Sequence, residues 1–203
     1  MESEKAKDSI EEIKKEIDVL NRINEDLICE KIGLEKYLKE TIDNFFYTEL
    51  INKIYSKIDP HPDNYKIEFD CDFKDKNPRL QIYTSDFENK KSVPSLYFSS
   101  AQINILSLSI FLARALKASD SKTKEPIECI FIDDPIQSMD SINILSFIDL
   151  FRSLTVNLDR QLIVSTHEEN FHLLLQKKIP SKLFKSKFIQ FETFGKLEKM
   201  ANA

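Results

Sequence analysis

Apolar residues in the first part of the chain recur at alternating steps of three and four. Asn24, Lys31 and Thr41 fill the remaining positions of this seam. Its apolar members are Ile10, Ile13, Ile17, Leu20, Leu27, Leu34, Leu38 and Phe45. Such heptad spacing predicts a long helix that pairs with a second helix, because an apolar stripe of this length must be covered. A single amphipathic helix lying on its own domain is the alternative, but a pattern of ~40 residues without caps argues against it.

The heptad pattern ends at residues 59–63, where Pro60 and Pro62 prevent a helix from continuing. After this point the composition changes from Glu/Lys-rich to aromatic-rich. We therefore predict a coiled-coil arm at residues 1–58 and a globular domain at residues 59–203. The arm carries a net charge of −4, which leaves −1 of the total of −5 for the globular domain. That domain therefore lacks the broad basic surface that nucleic-acid binding usually leaves.

The globular domain has the pattern of strands alternating with helices. Residues 65–73 alternate between apolar and polar, as a half-buried strand does, and Leu80–Tyr83 is its predicted antiparallel neighbour. Further strands are predicted at 127–132, 162–164 and 188–191, and helices at about 99–118, 141–158 and 171–177. Alternation at these lengths predicts an α/β fold with a mainly parallel sheet flanked by helices.

The clearest chemical signal is an apolar run that stops at two acidic residues. Cys129–Ile132 is apolar without alternation, which predicts a strand covered on both faces, and Asp133 and Asp134 follow it directly. Ligands of parallel sheets gather at the carboxyl ends of the strands. Two adjacent carboxylates there repel each other unless a cation or an ordered water compensates them, so the pair indicates a functional site.

Two further motifs accompany the acid pair in a fixed order along the chain. Phe98–Gln102 precedes it, and Ser99-x-x-Gln102 is a capping box that leaves the free N–H groups of the following helix open to an anionic phosphate. Ser165–His167 follows the acid pair and ends another predicted strand. Each motif taken singly has a purely structural interpretation, but their combination favours a functional one.

Composition excludes several classes of protein. A chain of 203 residues with 41% hydrophobic and 31% charged residues has a globular balance. Its most apolar stretch, Ile103–Leu116, is interrupted by polar residues and falls short of the ~20 that a membrane span needs. The N-terminus lacks the pattern of a secretory signal, so we predict a cytoplasmic protein. Cys29, Cys71 and Cys129 have neither metal-site nor redox spacing, so we expect reduced thiols and no zinc.

Together, Phe98–Gln102, the acid pair and Ser165–His167 resemble the C-terminal half of an ABC-type ATPase head of the SMC, SbcC and RecN kind. In that family a coiled-coil arm re-enters the head just before the signature motif. The resemblance covers nearly the whole chain. It implies the C-terminal lobe of a P-loop NTPase-like head, with a mainly parallel sheet flanked by helices, preceded by a long helix that pairs with an antiparallel partner helix.

The resemblance implies roles around ATP and Mg²⁺. Asp133 matches the Walker B aspartate, which holds Mg²⁺ largely through water. Asp134 stands where the family usually has a glutamate that orients and deprotonates the attacking water, and its shorter side chain reaches less far. His167 matches the switch histidine that contacts the γ-phosphate and the water. Asp140 ends Pro135–Asp140, which matches the D-loop along the dimer interface.

The signature positions are expected to bind nucleotide across a head-to-head homodimer. Ser99 matches the serine that reaches the γ-phosphate held by the other head, and Gln102 matches the glutamine that ends the motif. Ser100 and Ala101 replace the usual glycines, and Ala101 narrows the room for a phosphate to approach the backbone. The residues expected to contact nucleotide are therefore Ser99, Ser100, Ala101, Gln102 and Asp140.

The phosphate-cradling Walker A loop, G-x-x-x-x-G-K-[ST], has no match in this sequence. The only glycines are Gly33 and Gly195. We therefore expect ATP hydrolysis only when an N-terminal Walker A lobe, from the same or another chain, completes the head. Without that lobe, apolar surface should be exposed along one edge of the sheet.

The leading hypothesis is an ATPase head that drives a DNA transaction in repair, chromosome maintenance or defence against foreign DNA. The alternative is a non-enzymatic coiled-coil assembly module that recruits a partner such as a nuclease. A metal-dependent nuclease or phosphatase is weaker, because the capping box and His167 would then lack a role. A run of lysines is either a solvated surface or a contact for DNA phosphates. These lysines are Lys177, Lys178, Lys182, Lys185 and Lys187.

Overall fold

The computed structural model of this protein combines helices with short strands. It describes residues 2–59, 66–72, 79–193 and 195–197. The helices are α1 (Glu2–Phe46), α2 (Thr48–Ile58), α3 (Pro94–Tyr97), α4 (Ser100–Lys117), α5 (Ser141–Asn157), α6 (Glu169–Lys178) and α7 (Ser181–Phe184). The strands are β1 (Lys66–Asp72), β2 (Arg79–Ser85), β3 (Lys91–Ser92), β4 (Cys129–Asp133), β5 (Gln161–Ser165), β6 (Phe191–Thr193) and β7 (Lys196–Leu197). The two prolines of the predicted domain boundary, and Tyr65 and Phe73, lie outside the described residues.

Helix α1 is the long helix that the heptad pattern predicts. It contains 45 residues, which corresponds to a length of about 68 Å at 1.5 Å per residue. Its seam side chains are exposed, with Leu20 at 63% and Leu34 at 62% of their full accessibility. The helix is therefore confirmed, and its partner helix stays a prediction.

The first helix ends at Tyr47, which adopts a left-handed backbone conformation with φ of 56°. A non-glycine residue in that region interrupts a regular helix, so α2 starts anew at Thr48. The chain consists of two compact units. The first is Met1–Phe45 with Phe69–Gln81, and the second is Phe46–Glu68 with Ile82–Ala203. The predicted arm, residues 1–58, therefore contains two helices that fall in different units.

Helix α2 forms the core of the second unit together with α4 and α5. The side chains that these helices bury are Ile51, Ile54, Tyr55 and Ile58 from α2, Ile105, Leu112 and Ala113 from α4, and Phe147, Ile148 and Phe151 from α5. The ring of Tyr55 stacks on Phe98 with 6.2 Å between centroids, just before the predicted signature. Burial, with the nearby charge of Asp59, raises the pKa of the Tyr55 phenol. None of the helices among the described residues has the length and apolarity that a bilayer crossing requires.

Strands β4 and β5 form the predicted parallel pair, with α5 as the crossover between them. Their register pairs Cys129 with Gln161 and Asp133 with Ser165. A separate three-stranded sheet has the order β1-β2-β3, and its β2 and β3 are antiparallel. The chain therefore has the α/β organisation that its alternating pattern predicts.

The prediction that β4 is covered on both faces is wrong for this chain. Ile130 and Ile132 are 3% and 7% exposed, whereas Phe131 between them is 67% exposed. Its cross-strand partner Ile163 is 42% exposed. Successive side chains of a strand point to opposite faces, so Phe131 and Ile163 form one open apolar face of the pair. The sequence predicted exposed apolar surface along one edge of the sheet, whereas these two side chains lie on its face.

The predicted last strand, residues 188–191, is also placed differently. Strand β6 begins at Phe191 and pairs antiparallel with β7 instead of joining the parallel pair. Gly195, with φ of 74°, lies in the turn between them. A glycine adopts this conformation without a steric penalty, so the chain reverses into a short hairpin at this point.

A cluster of charged side chains links β1 to β3 within the second unit. The Glu68 carboxylate lies 3.0 Å from Lys66 Nζ and 3.2 Å from Lys91 Nζ. Burial raises the pKa of the Glu68 carboxyl, but hydrogen bonds and charge from the two lysines outweigh burial, so the pKa is lowered from its ordinary value. The ionised form is therefore favoured in the folded state.

Substitutions at neighbouring positions of β4 test the open face. Ile130→Ala should lower the free energy of unfolding by about 3 kcal/mol, because it leaves a cavity in the core. Phe131→Ala should change it by less than about 1 kcal/mol, because this ring already contacts water. Urea unfolding of the two variants measures the difference. Equal losses of unfolding free energy in the two variants would contradict the alternation of buried and exposed side chains along β4.

Acid titration of stability tests the Glu68 cluster. Since its folded pKa is lowered, Glu68 contributes stability above the unfolded pKa of about 4.3 and loses it as pH falls through the folded pKa. Lys91→Met should therefore reduce the loss in unfolding free energy between about pH 7 and pH 3. Lys90→Met removes a neighbouring exposed lysine and is the matched control. An unchanged pH dependence in Lys91→Met would count against the cluster.

Candidate active site

The carboxyl ends of β4 and β5 lie side by side. They carry two of the three predicted motifs, the acid pair and Ser165–His167. Because Asp133 pairs with Ser165 in the parallel register, the residues that follow each strand are neighbours. The Ser165 hydroxyl donates to Asp133 Oδ1. The backbone N–H of Asp134 donates to the Ser165 carbonyl over 2.8 Å. The acid pair and Ser165–His167 are thus brought together as the sequence predicts.

Asp134 is held by three side chains at the end of β4. Its Oδ2 lies 2.9 Å from His167 Nδ1 and accepts from Gln137 Nε2 over 3.2 Å. Its Oδ1 accepts from the Thr166 hydroxyl over 3.2 Å. The side chain is 13% exposed, and the backbone is left-handed with φ of 44°. We call Asp134, Gln137, Thr166 and His167 the Asp134 cluster.

His167 has one ring nitrogen in the Asp134 cluster and one outside it. The ring is 73% exposed, and its Nε2 lies 3.7 Å from Glu168 Oε1. When Nδ1 carries the proton that is directed at Asp134, a neutral ring leaves Nε2 as an acceptor. The arrangement therefore presents an imidazole nitrogen to solvent, with its orientation fixed by a carboxylate.

A tight turn follows Asp134 and leads into α5. Ser138 is left-handed with φ of 61°, and the Met139 N–H donates to the Ile136 carbonyl over 3.1 Å. Asp140 caps α5, since its Oδ1 accepts from the Asn143 N–H over 2.8 Å. A contact of Asp140 with an opposite site stays a prediction.

A cavity of about 500 Å³ opens beside this turn. Its lining residues are Asp134, Ile136, Gln137, Ser138, Met139, Ile144, His167 and Glu168. The two predicted catalytic residues therefore face one shared space. The other predicted site residues do not line it. A small substrate group or several waters fit in a space of this size.

The predicted capping box at the start of α4 is confirmed. The Gln102 N–H donates to Ser99 Oγ over 3.3 Å, and the Ser99 N–H donates to Gln102 Oε1 over 2.9 Å. Ser99 and Ser100 are exposed, and Ala101 is half-buried. The positive end of an 18-residue helix therefore faces outward behind Ser99.

The carboxylates at the end of β4 supply the oxygen ligands that Mg²⁺ prefers. Among the residues that the structure describes, no three His, Cys, Asp or Glu side chains are grouped to hold a metal ion. Mg²⁺ needs fewer protein ligands than that, because it keeps several waters and binds substrate phosphates through one or two carboxylates. Asp133 is exposed at the strand end and has one oxygen bonded to Ser165, so it fits this mode of binding.

Sequence reasoning missed three residues of the site. Gln137 and Thr166 lie inside motifs that the sequence suggested, but nothing in one sequence assigns their side chains to Asp134. Asn104 lies 33 residues from Gln137, and its Nδ2 donates to the Gln137 carbonyl over 2.6 Å. Such a pairing across the fold has no local signal.

No protein-family model matches the sequence, and a comparison with curated proteins gives no match. Solved structures match it in three dimensions. One, from work on ATP-driven dimerization and DNA-stimulated activation of SMC ATPases, has a TM-score of 0.53 and 14% identity. The match covers 80% of this chain and 89% of that one.

Two further structures are similar over a smaller share of their length. An Smc head domain from Pyrococcus furiosus, with an extended coiled coil and bound to the C-terminal domain of ScpA, has a TM-score of 0.43 and 15% identity, covering 73% of this chain and 35% of that one. The SMC head domain from Thermotoga maritima has a TM-score of 0.41 and 16% identity, covering 72% of this chain and 44% of that one. The chain thus spans less than half the length of these two heads. By its fold, this chain is SMC-head-like, as its motifs predicted.

Proposed function

We propose that this chain is the C-terminal part of an ATP-hydrolysing head of the SMC type, in which two heads enclose ATP and move coiled-coil arms that act on DNA. The observation that carries the proposal is the Asp134 cluster, which stands beside Asp133 at the end of a parallel strand in an SMC-like head fold. A paired carboxylate and imidazole facing one cavity suit the activation of water beside a phosphate.

In the proposed reaction, a water attacks the γ-phosphorus, its proton passes to Asp134, and the bond from the γ-phosphorus to the bridging oxygen breaks so that ADP leaves. Asp134 is one methylene shorter than glutamate, and the cavity in front of it has room for a second water that bridges the difference. His167 also lines this space, and with its proton on Nδ1 its Nε2 can accept a hydrogen bond from the attacking water. When bound, Mg²⁺ neutralises charge on the phosphates, and Asp133 is the residue that would hold it.

Ser99 and the start of α4 are the proposed contact with nucleotide held by a second head. The N-terminal N–H groups of a helix favour an anion, and Ser99 is exposed there. Ser99, Ser100, Ala101, Gln102 and Asp140 do not line the cavity of Asp134. This separation agrees with a role toward the opposite site of a dimer.

The open face of β4 and β5 supports a missing lobe. Parallel sheets are normally covered on both faces, yet Phe131 and Ile163 are exposed on this one. A lobe that supplies a Walker A loop, from the same or another chain, would cover these side chains and complete the ATP site. Hydrolysis is therefore proposed only for the completed head.

We also propose a partner helix for the arm and a contact with DNA, each on the basis of exposed side chains. The exposed apolar seam of α1 supports pairing with an antiparallel helix. Exposed lysines near α6 and α7 are the proposed contacts with DNA phosphates, which they would bind without reading sequence. They are Lys177, Lys178, Lys182, Lys185 and Lys187.

A non-enzymatic assembly module is the second candidate. The exposed seam of α1 favours it, because helix pairing needs no ATP turnover. In that case the arm would recruit a partner such as a nuclease, and the Asp134 cluster would only stabilise the end of the sheet. Measured turnover separates the two candidates.

Substitution of Asp134 tests the enzymatic proposal. Mg²⁺-dependent ATP hydrolysis is measured for this chain alone and for a joined form, in which the polypeptide encoded directly upstream is fused to it. We expect activity in the joined form only, and Asp134→Asn should lower kcat at least about 100-fold with nucleotide binding retained. Asp159→Asn is the matched control, because Asp159 is exposed and also left-handed, with φ of 50°. Absence of turnover in every joined form would favour the assembly module.

Complementation between two inactive variants tests the composite site. Ser99→Asp keeps a good helix cap but places a negative charge where the opposite phosphate would bind. A dimer that combines one Ser99→Asp head with one Asp134→Asn head has one site built from wild-type residues. Mixing the two variants, each as a completed head, should restore roughly a quarter of the wild-type rate, because half of the dimers are mixed and each has one intact site. A mixture as inactive as its components would exclude sites shared between heads.

A further inference from the structure

We infer that Gln137 is a positioning residue for Asp134, and that Asn104 ties Gln137 to the helix that carries the signature. The link consists of two hydrogen bonds, from Asn104 Nδ2 to the Gln137 carbonyl over 2.6 Å and from Gln137 Nε2 to Asp134 Oδ2 over 3.2 Å. The inference rests on the proposed function, since it concerns how the proposed base is held.

The surroundings of Gln137 favour a polar role over a packing role. Its side chain is exposed, so it contributes little to the core. Its backbone lies in the turn whose two left-handed residues, Asp134 and Ser138, fix the direction of the chain on either side. Asn104 on α4 holds the Gln137 carbonyl, so it fixes the backbone from which the side-chain amide reaches the carboxylate.

The consequence for Asp134 is a defined orientation of both oxygens. Thr166 donates to Oδ1, while Gln137 and His167 Nδ1 share Oδ2. Without the Gln137 donor, each carboxylate oxygen keeps one side-chain partner, Thr166 at Oδ1 and His167 at Oδ2, so the carboxylate is held less firmly against the imidazole. Gln137 therefore helps to keep the proton of His167 on Nδ1 and leaves Nε2 as an acceptor.

The consequence for α4 is a mechanical connection. Asn104 lies on α4 five residues after Ser99 and two after Gln102. A displacement at the start of α4, such as the one that engagement of an opposite nucleotide would produce, reaches the Gln137 carbonyl through Asn104. Occupation of one site would thus alter how the base of the other site is held.

The test measures the ring tautomer of His167 by nitrogen NMR on the chain alone, at about pH 9, above the ordinary histidine pKa of about 6.5. The chain has three histidines, so the signal of His167 can be assigned with His167→Gln. We expect the Nδ1–H form to dominate in the wild type and to fall at least about twofold in Gln137→Met, which keeps length but removes the donor. Gln176→Met is the matched control, since Gln176 contacts His172 instead, at 2.9 Å.

The connection to α4 is tested by a double-mutant cycle with the same readout. Asn104→Leu should shift the tautomer in the same direction, and the double variant should equal Gln137→Met alone, because both changes act through one link. Additive shifts would overturn the role of Asn104. An unchanged His167 signal in folded Gln137→Met, or a wild-type ring in the Nε2–H form, would overturn the inference. Neither result depends on ATP, so failure of hydrolysis in the joined head would count against the proposed function only.

Discussion

The parallel pairing of β4 with β5 is the constraint on which the candidate site depends. It fixes Asp133 opposite Ser165 and lets the Asp134 N–H donate to the Ser165 carbonyl. A slip of one residue in this register would turn every side chain to the other face and separate Asp134 from His167. The helix α5 must cross between the strands for them to run parallel. The site therefore exists only when the whole β4–α5–β5 unit is folded.

The pairing of β4 with β5 places the adjacent carboxylates of Asp133 and Asp134 in different surroundings. Asp133 is exposed and bonded to one hydroxyl, whereas Asp134 is largely enclosed by an amide, a hydroxyl and an imidazole. Two carboxylates with different partners can take different tasks, one toward a cation and one toward a proton. The left-handed backbone at Asp134 ends the extended conformation of β4, so the chain turns directly after the acid pair.

Features with a local cause were predictable from the sequence, and features with a non-local cause were not. The capping box at Ser99 and the break after the acid pair follow from neighbouring residues, so the sequence alone indicates them. The exposure of Phe131 was missed because an apolar run looks the same whether its cover belongs to this chain or to another. The hydrogen bond between Asn104 and Gln137 was missed because it joins residues 33 positions apart. Resemblance to a family supplied the proposed roles, which spacing alone does not give.

The length of α1 has a consequence for assembly. A helix of 45 residues forms from local contacts and can be complete before the parallel strands, which pair across a long crossover, have found each other. If a second helix pairs along it, any lobe attached to that helix is tethered to this chain. Tethering converts docking into an intramolecular event, with an effective concentration on the order of millimolar. Pairing of the arm would then precede and promote the docking of the second lobe onto this chain.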